Sequence, residues 1–199
     1  MRPGAAPFPA AVLAGGRSRR MGRPKATLPY GAGTLIEFQT RRLAPLFAEV
    51  LVVLKETPEF PVGPARIVLD GEGAFAPLFG LVRALEEARD RVFVLAVDLP
   101  LLPDALVLAI ARRALATPAP ALVPRADARL QPLAAVWRRK ILPLARERMA
   151  RGELSLHGLA EEAGAEVYAE EAWRAVDPSG NAFANLNTAE AWAAHRERA

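Results

Sequence analysis

The chain has 199 residues, 52% of them apolar, and a formal charge of +4, which gives room for one packed domain and argues against global disorder. With no cysteine and only two histidines, it excludes disulfides, thiolate metal sites and cysteine nucleophiles, and argues against a histidine metal cluster. No apolar run reaches the roughly 18–20 residues that cross a bilayer, and dispersed basic charge with 7% aromatics is not the footprint of a nucleic-acid surface.

The first apolar run, residues 9–13, is expected to be a buried strand. The N-terminal stretch that contains it, MRPGAAPFPAAVLAGG, carries one arginine, is interrupted by prolines and runs into a charged loop, so it is read as leading into a first strand, not as a signal peptide. That loop, LAGGRSRRMGRPK at residues 13–25, follows the strand directly. Its small residues Ala14, Gly15 and Gly16 permit a tight turn with outward-facing amides, and Arg17, Arg19, Arg20, Arg23 and Lys25 add positive charge. A charged turn is by default only a solvated one; two adjacent glycines and a terminal lysine, all after strand one, favour a polyphosphate as its counterpart.

Thr34 is expected to cap a helix reaching about Leu43, with Glu37 completing a capping box. Further strands are predicted at 50–54, 66–69, 92–97, 121–123, 133–137 and 166–168, each short, apolar and bounded by proline, glycine or charge. Between them a helix starts at Pro77 with Leu78, Leu81, Val82 and Leu85 on one face, another near Pro103 and Asp104, and another after Arg138. The last part of the chain is expected to hold a short helix near 155–163, a turn at 177–180 and a helix after Thr188. This alternation implies βαβ units, a mainly parallel sheet and one domain over residues 1–199.

Ligands of open parallel sheets bind beyond the carboxyl ends of the strands. Three features fall there: the Gly15–Gly16 loop, Asp70 closing ARIVLD, and Asp98 closing VFVLAVD. Asp98 alone serves equally as a helix cap or a metal ligand; beside the loop, a Mg²⁺ ligand against phosphate oxygens is preferred. Asp70 before Gly71 is also a good turn residue. There is no Gly-Lys-Ser/Thr of a Walker A loop and no G-x-G-x-x-G, so neither a P-loop nor a dinucleotide redox site is supported. His157 and His195 are read as surface or satisfied residues, and Trp137, Trp173 and Trp192 as packing.

Residues 13–25 resemble the signature loop of nucleotidyltransferases, and the double glycine of LAGGRSRRMG resembles that of the molybdenum cofactor guanylyltransferases. The likeness continues through Asp70, Pro77-Leu78-Phe79-Gly80-Leu81, Asp98-Leu99-Pro100, Gln131-Pro132-Leu133 and Asn185-Leu186-Asn187-Thr188, in order along almost the whole chain. The resemblance implies a three-layer Rossmann-like α/β fold and transfer of GMP from GTP to the phosphate of molybdopterin or its molybdenum form, with Mg²⁺. It implies that Leu13, Ala14, Gly15 and Gly16 pack on the nucleotide, that Arg19 and Lys25 bind phosphates, and that Asp98 holds the metal. Asp70 is then expected in the guanosine pocket beside Pro77, Leu78 and Gly80, and Gln131, Asn185 and Asn187 on the acceptor side. It also implies contact with proteins that deliver the cofactor. The lack of a membrane-length apolar run, the first-strand reading of the N-terminus and the dispersed basic charge give the expectation of a cytoplasmic protein with neither nucleic acid nor membrane as partner.

Three positions depart from that pattern: Pro24 where aspartate is usual, Lys55 where asparagine is frequent, and Leu154 where a basic residue is usual. Two related activities therefore stand beside the guanylyl reading, a cytidylyltransferase on the same pterin and a sugar- or polyol-phosphate nucleotidylyltransferase. A non-catalytic nucleotide- or RNA-binding module is a further reading, which leaves both strand-end aspartates without a role.

Overall fold

A computed structural model describes residues 4–15, 24–71 and 75–184. Strand β1 (Ala10–Leu13) is followed by a two-stranded ribbon of β2 (Pro29–Tyr30) and β3 (Gly33–Thr34). Helix α1 (Leu35–Leu43) opens on the expected capping box: the Thr34 side chain accepts from the Glu37 N–H, and the Glu37 carboxylate accepts from the Thr34 N–H at 3.0 Å. Those Thr34 hydrogen bonds hold the Glu37 carboxyl below its ordinary value. Next come β4 (Val50–Leu54), β5 (Arg66–Leu69), α2 (Pro77–Glu87), β6 (Arg91–Ala96) and α3 (Asp104–Ala116). The remainder is β7 (Ala121–Ala126), β8 (Arg129–Leu130), β9 (Ala134–Arg138), α4 (Leu142–Ala150), α5 (Leu156–Glu162), β10 (Glu166–Tyr168) and α6 (Glu170–Arg174).

The strands form one eight-stranded sheet in the order β10-β7-β9-β6-β1-β4-β5, with β8 attached to β7. Pairings of β1 with β4 and β6, of β4 with β5 and of β10 with β7 are parallel; β9 runs against both its neighbours. The reversal of β9 follows from chain length. Asp127 and Ala128 turn the chain at positive φ, 48° and 60°, and β9 begins a few residues later. A parallel return needs a crossover of about a dozen residues or more, so the short link leaves only the antiparallel option.

Alternation along the strands sends side chains to two separate cores. Ala10, Val12, Val52, Phe93 and Leu95 pack with Leu35, Ile36, Leu43, Val107 and Ile110 of α1 and α3. Ala11, Leu51, Val53, Val92 and Val94 pack with Leu78, Leu81, Leu85, Leu142 and Leu159 of α2, α4 and α5. This is the three-layer, mainly parallel arrangement expected. Trp137 and Trp173 are fully buried, as expected of packing residues; Trp192 and the helix expected after Thr188 lie outside the described residues.

Helix α2 comes close to the sheet because position 80 is glycine. A Cβ there would lie 3.2 Å from Leu13 Cδ2 and 3.6 Å from Val53 Cγ1. Overpacking of this kind typically costs about 1–3 kcal/mol. Gly80→Val is therefore expected to lower unfolding free energy by that amount, read as a lower urea midpoint at unchanged denaturant slope.

Candidate active site

Strand order reverses between β1 and β6, since the chain runs from β1 outward through β4 and β5 and returns to β6 on the other side of β1. Such a switch point opens a crevice at the carboxyl ends. Here it is a cleft of about 240 Å³, with Leu13, Ala14 and Gly15 after β1, Lys55 after β4, Asp70 after β5 and Asp98 after β6 on its walls. Pro77 and Gly80 close one side and Leu133 the other. Backbone bonds splice the strand ends: Ala14 N–H donates to Val53 O at 3.1 Å, Val97 N–H to Leu13 O at 3.2 Å, and Ala96 N–H to Leu133 O at 2.8 Å. A second hollow of about 480 Å³ shares Ala14, Gly15, Lys55 and Phe75 and extends past Pro24 to Phe60.

Lys25 opens a short 3-10 turn, Lys25–Thr27, after extended Pro24, whose carbonyl accepts from both the Thr27 N–H and the Thr27 hydroxyl. Buried Ala26 and Leu28 anchor that turn in the core. The Lys25 ammonium thereby reaches the end of β6 and donates to Asp98 Oδ2 at 2.6 Å. Both side chains keep a fraction of their exposure, 27% and 20%. Two groups expected to act separately, one on phosphate and one on metal, thus hold each other.

The other pair is more deeply set. Lys55 Nζ lies 3.1 Å from Asp70 Oδ1, with side-chain exposures of 13% and 6%. The ammonium also sits 5.0 Å from the Phe79 ring centroid and 5.7 Å from that of Phe75. Among the described residues no donor meets hydrogen-bond geometry at the buried Asp70 Oδ1, so the pair is a charge contact, with both residues on the cleft wall. Lys55 is absent from the sequence-derived set. Its signal is a charged residue placed directly after the fully buried strand VLVVL.

Of the remaining expected site residues, Leu78 is fully buried in the α2 core and does not line the cleft. Gln131 sits on the short link to β9, where its amide N–H donates to Pro124 O at 2.7 Å; its neighbour Leu133 reaches the cleft. Gly16, Arg19, Asn185, Asn187 and His195 lie outside the described residues. His157 is exposed, with Nε2 3.1 Å from Leu130 O, far along the chain from the strand-end groups.

Magnesium is usually held by one or two carboxylates and completed by substrate phosphates and water. Asp98, a partly exposed carboxylate in the cleft beside a phosphate-seeking lysine, fits that need. Among the described residues no cluster of three or more acidic, histidine or cysteine side chains could hold a metal by itself, so a shared site with substrate is the one the donor set suits.

A switch-point cleft of this shape, walled by a lysine and strand-end aspartates, suits a phosphate-bearing ligand and the metal that accompanies it. Residues 10–167 match the MobA-like NTP transferase domain. Proteins named "probable molybdenum cofactor guanylyltransferase" are 34% identical over 184 residues in Chloroflexus aggregans, covering 89% of this chain and 88% of that one, and 34% over 195 residues in Mycobacterium tuberculosis, covering 95% and 93%. The solved molybdopterin-guanine dinucleotide biosynthesis protein A of Archaeoglobus fulgidus shares the fold, at a TM-score of 0.83 and 21% identity over 96% of this chain and 97% of that one. The chain belongs to the MobA-like NTP transferase family.

Removing one partner of a buried ion pair typically costs about 3–5 kcal/mol, because the other charge is left unpaired. Lys55→Met is expected to lose stability in that range. Adding Asp70→Asn should restore much of it, so that the double-mutant cycle by urea unfolding gives a clear coupling energy.

Proposed function

We propose that the protein transfers GMP from GTP to the terminal phosphate of molybdopterin or its molybdenum form, giving the guanine dinucleotide form and pyrophosphate. The observation that carries this reading is the division of one cleft into two ends. Lys25 and Asp98 offer charge suited to phosphates and a metal, while Asp70, paired with Lys55, stands on the wall of the same cleft beside Pro77 and Gly80. The names of the two 34%-identical relatives support the same substrates.

In the reaction an oxygen of the acceptor phosphate attacks the α-phosphorus of GTP, and the bond from that phosphorus to the bridging β-phosphate oxygen breaks. Pyrophosphate leaves with the electron pair. The nucleophile is already an anion, so no general base is required. The barrier is charge repulsion and alignment, which fixed positive groups lower. Lys25 leaves Asp98 to meet the phosphate oxygens, and the freed Asp98 carboxylate would hold Mg²⁺, which when bound neutralises charge on the phosphates. Ala14 and Gly15 bring small residues and backbone against the nucleotide, and Leu133 covers the far side. Arg19 is assigned to the phosphates and Gln131, Asn185 and Asn187 to the acceptor on the strength of the motif matches.

Pyrophosphate release measured with GTP, CTP and UTP, each with and without molybdopterin, tests the assignment. Release is expected with GTP and only with the pterin present. Preference for CTP would replace guanine by cytosine as the base, and pterin-independent turnover with a sugar phosphate would move the acceptor. Asp98→Asn is expected to lower kcat by about two to three orders of magnitude with thermal unfolding unchanged. Wild-type turnover in that variant would remove Asp98 from the metal role. Binding that only weakens steeply with salt, without turnover, would leave a nucleotide- or RNA-binding module.

A further inference from the structure

Helix α1 buries a glutamine on its inner face. Gln39 is fully buried, one turn below Leu43 and beside the core residues Leu35 and Ile36. A buried amide is costly unless its hydrogen bonds are made, and both of its ends are engaged. Its Nε2 donates to the Val97 carbonyl at 3.1 Å, and its Oε1 accepts from Arg42 Nε at 2.7 Å. Arg42 in turn donates through Nη1 to the Leu102 carbonyl and lies 3.3 Å from Asp104 Oδ1. Burial pulls the Arg42 guanidinium below its ordinary value, opposed by the charges of Asp104 and Tyr30.

This network brackets residues 97–104, the connection between β6 and α3, at both ends. Its near end matters for the site. The Val97 carbonyl belongs to the planar peptide unit that also contains the Asp98 N–H and ends at the Asp98 Cα. The same residue's own N–H is held by Leu13 O at 3.2 Å, and Leu99 N–H reaches back to Ala96 O at 3.3 Å. With that peptide plane fixed and the Leu99 N–H tied to Ala96 O, the Asp98 backbone torsions are restrained on both sides of its Cα, and Lys25 engages the carboxylate.

We propose that Gln39, backed by Arg42, is a positioning residue for Asp98: it holds the Val97–Asp98 peptide plane so that the carboxylate faces the nucleotide phosphates and the metal they share. The proposal rests on the role given to Asp98 above. Nothing in the resemblance or in the cleft's lining points to α1, whose side chains reach the site only through the backbone they hold.

Gln39→Met keeps length and apolar contact but removes the donor. Gln39→Glu keeps an acceptor for Arg42 and turns a carboxylate oxygen toward the Val97 carbonyl. Each is compared with wild type by Mn²⁺ titration of the enzyme–GTP complex, read by electron paramagnetic resonance without the acceptor, and by kcat, KM for GTP and thermal unfolding. Groups that orient a metal ligand typically contribute 10–100-fold to affinity or activity. Both variants are expected to lose Mn²⁺ affinity and kcat by roughly that factor, with KM for GTP nearly unchanged. A folded variant that binds Mn²⁺ as wild type does, even with a lower unfolding temperature, would reduce Gln39 to a packing role and overturn the proposal. If Gln39→Met does not fold, Gln39→Glu decides by the same titration. Asp98→Asn, run in parallel, separates the two ideas: loss of Mn²⁺ there with normal binding in the Gln39 variants overturns this proposal alone, whereas normal binding in Asp98→Asn overturns the metal role itself.

Discussion

Strands covered by helices on both faces have no place for charge except at their ends. Every residue of β4 is buried, β1 is buried through Val12, and β6 is buried from Val92 onward. The first ionisable side chains beyond them, Lys55 and Asp98, stand at their carboxyl ends, and Asp70 stands at that of β5. Desolvation of an unpaired charge in such a core would cost several kcal/mol, so charge is pressed to the two rims: Glu49 with Arg66 and Asp90 with Arg91 at the amino ends, and Lys55, Asp70 and Asp98 at the carboxyl rim. Reversal of strand order between β1 and β6 then opens that rim into a cleft.

Along the rim, burial sets what each ion pair can do. Lys25 and Asp98 retain 27% and 20% exposure, so water screens their attraction in part, and exchange of these partners for phosphate and metal costs less than parting a fully buried pair. Lys55 and Asp70, at 13% and 6%, are bound into the wall of the cleft between the Phe75 and Phe79 rings and the strand ends. One pair is suited to come apart during a reaction, and the other to keep a fixed shape for a base.

Helices reach this rim indirectly. Gly80 lets α2 close on Leu13 and Val53, which line the cleft from below. Gln39 and Arg42 hold the connection carrying Asp98. The short link that forces β9 antiparallel carries Leu133, immediately before the strand, to the cleft wall. The cleft is therefore assembled from both layers and from both directions of the sheet, although its charged groups follow strands running one way.

Much of this was legible along the chain because it depends on local pattern. Apolar runs ending in charge mark the strands and their carboxyl ends, and the capping box at Thr34 and Glu37 and proline at position 77 set helix starts within a residue. The motif order from the glycine loop to Asp98 was enough to foresee the fold, the family and about half of the residues that line the cleft. Pairing between distant residues was not legible, since spacing carries no information on which charges meet across the sheet. That Lys25 neutralises Asp98, that Lys55 enters the wall beside Asp70, that Leu78 turns into the core, and that Gln39 carries the Asp98 peptide were decided only by tertiary structure. For the charges and the amide the deciding physics is the same: a group withdrawn from water must find a partner, and the fold alone sets which one is within reach; Leu78 turns inward because its apolar side chain falls on the core face of α2.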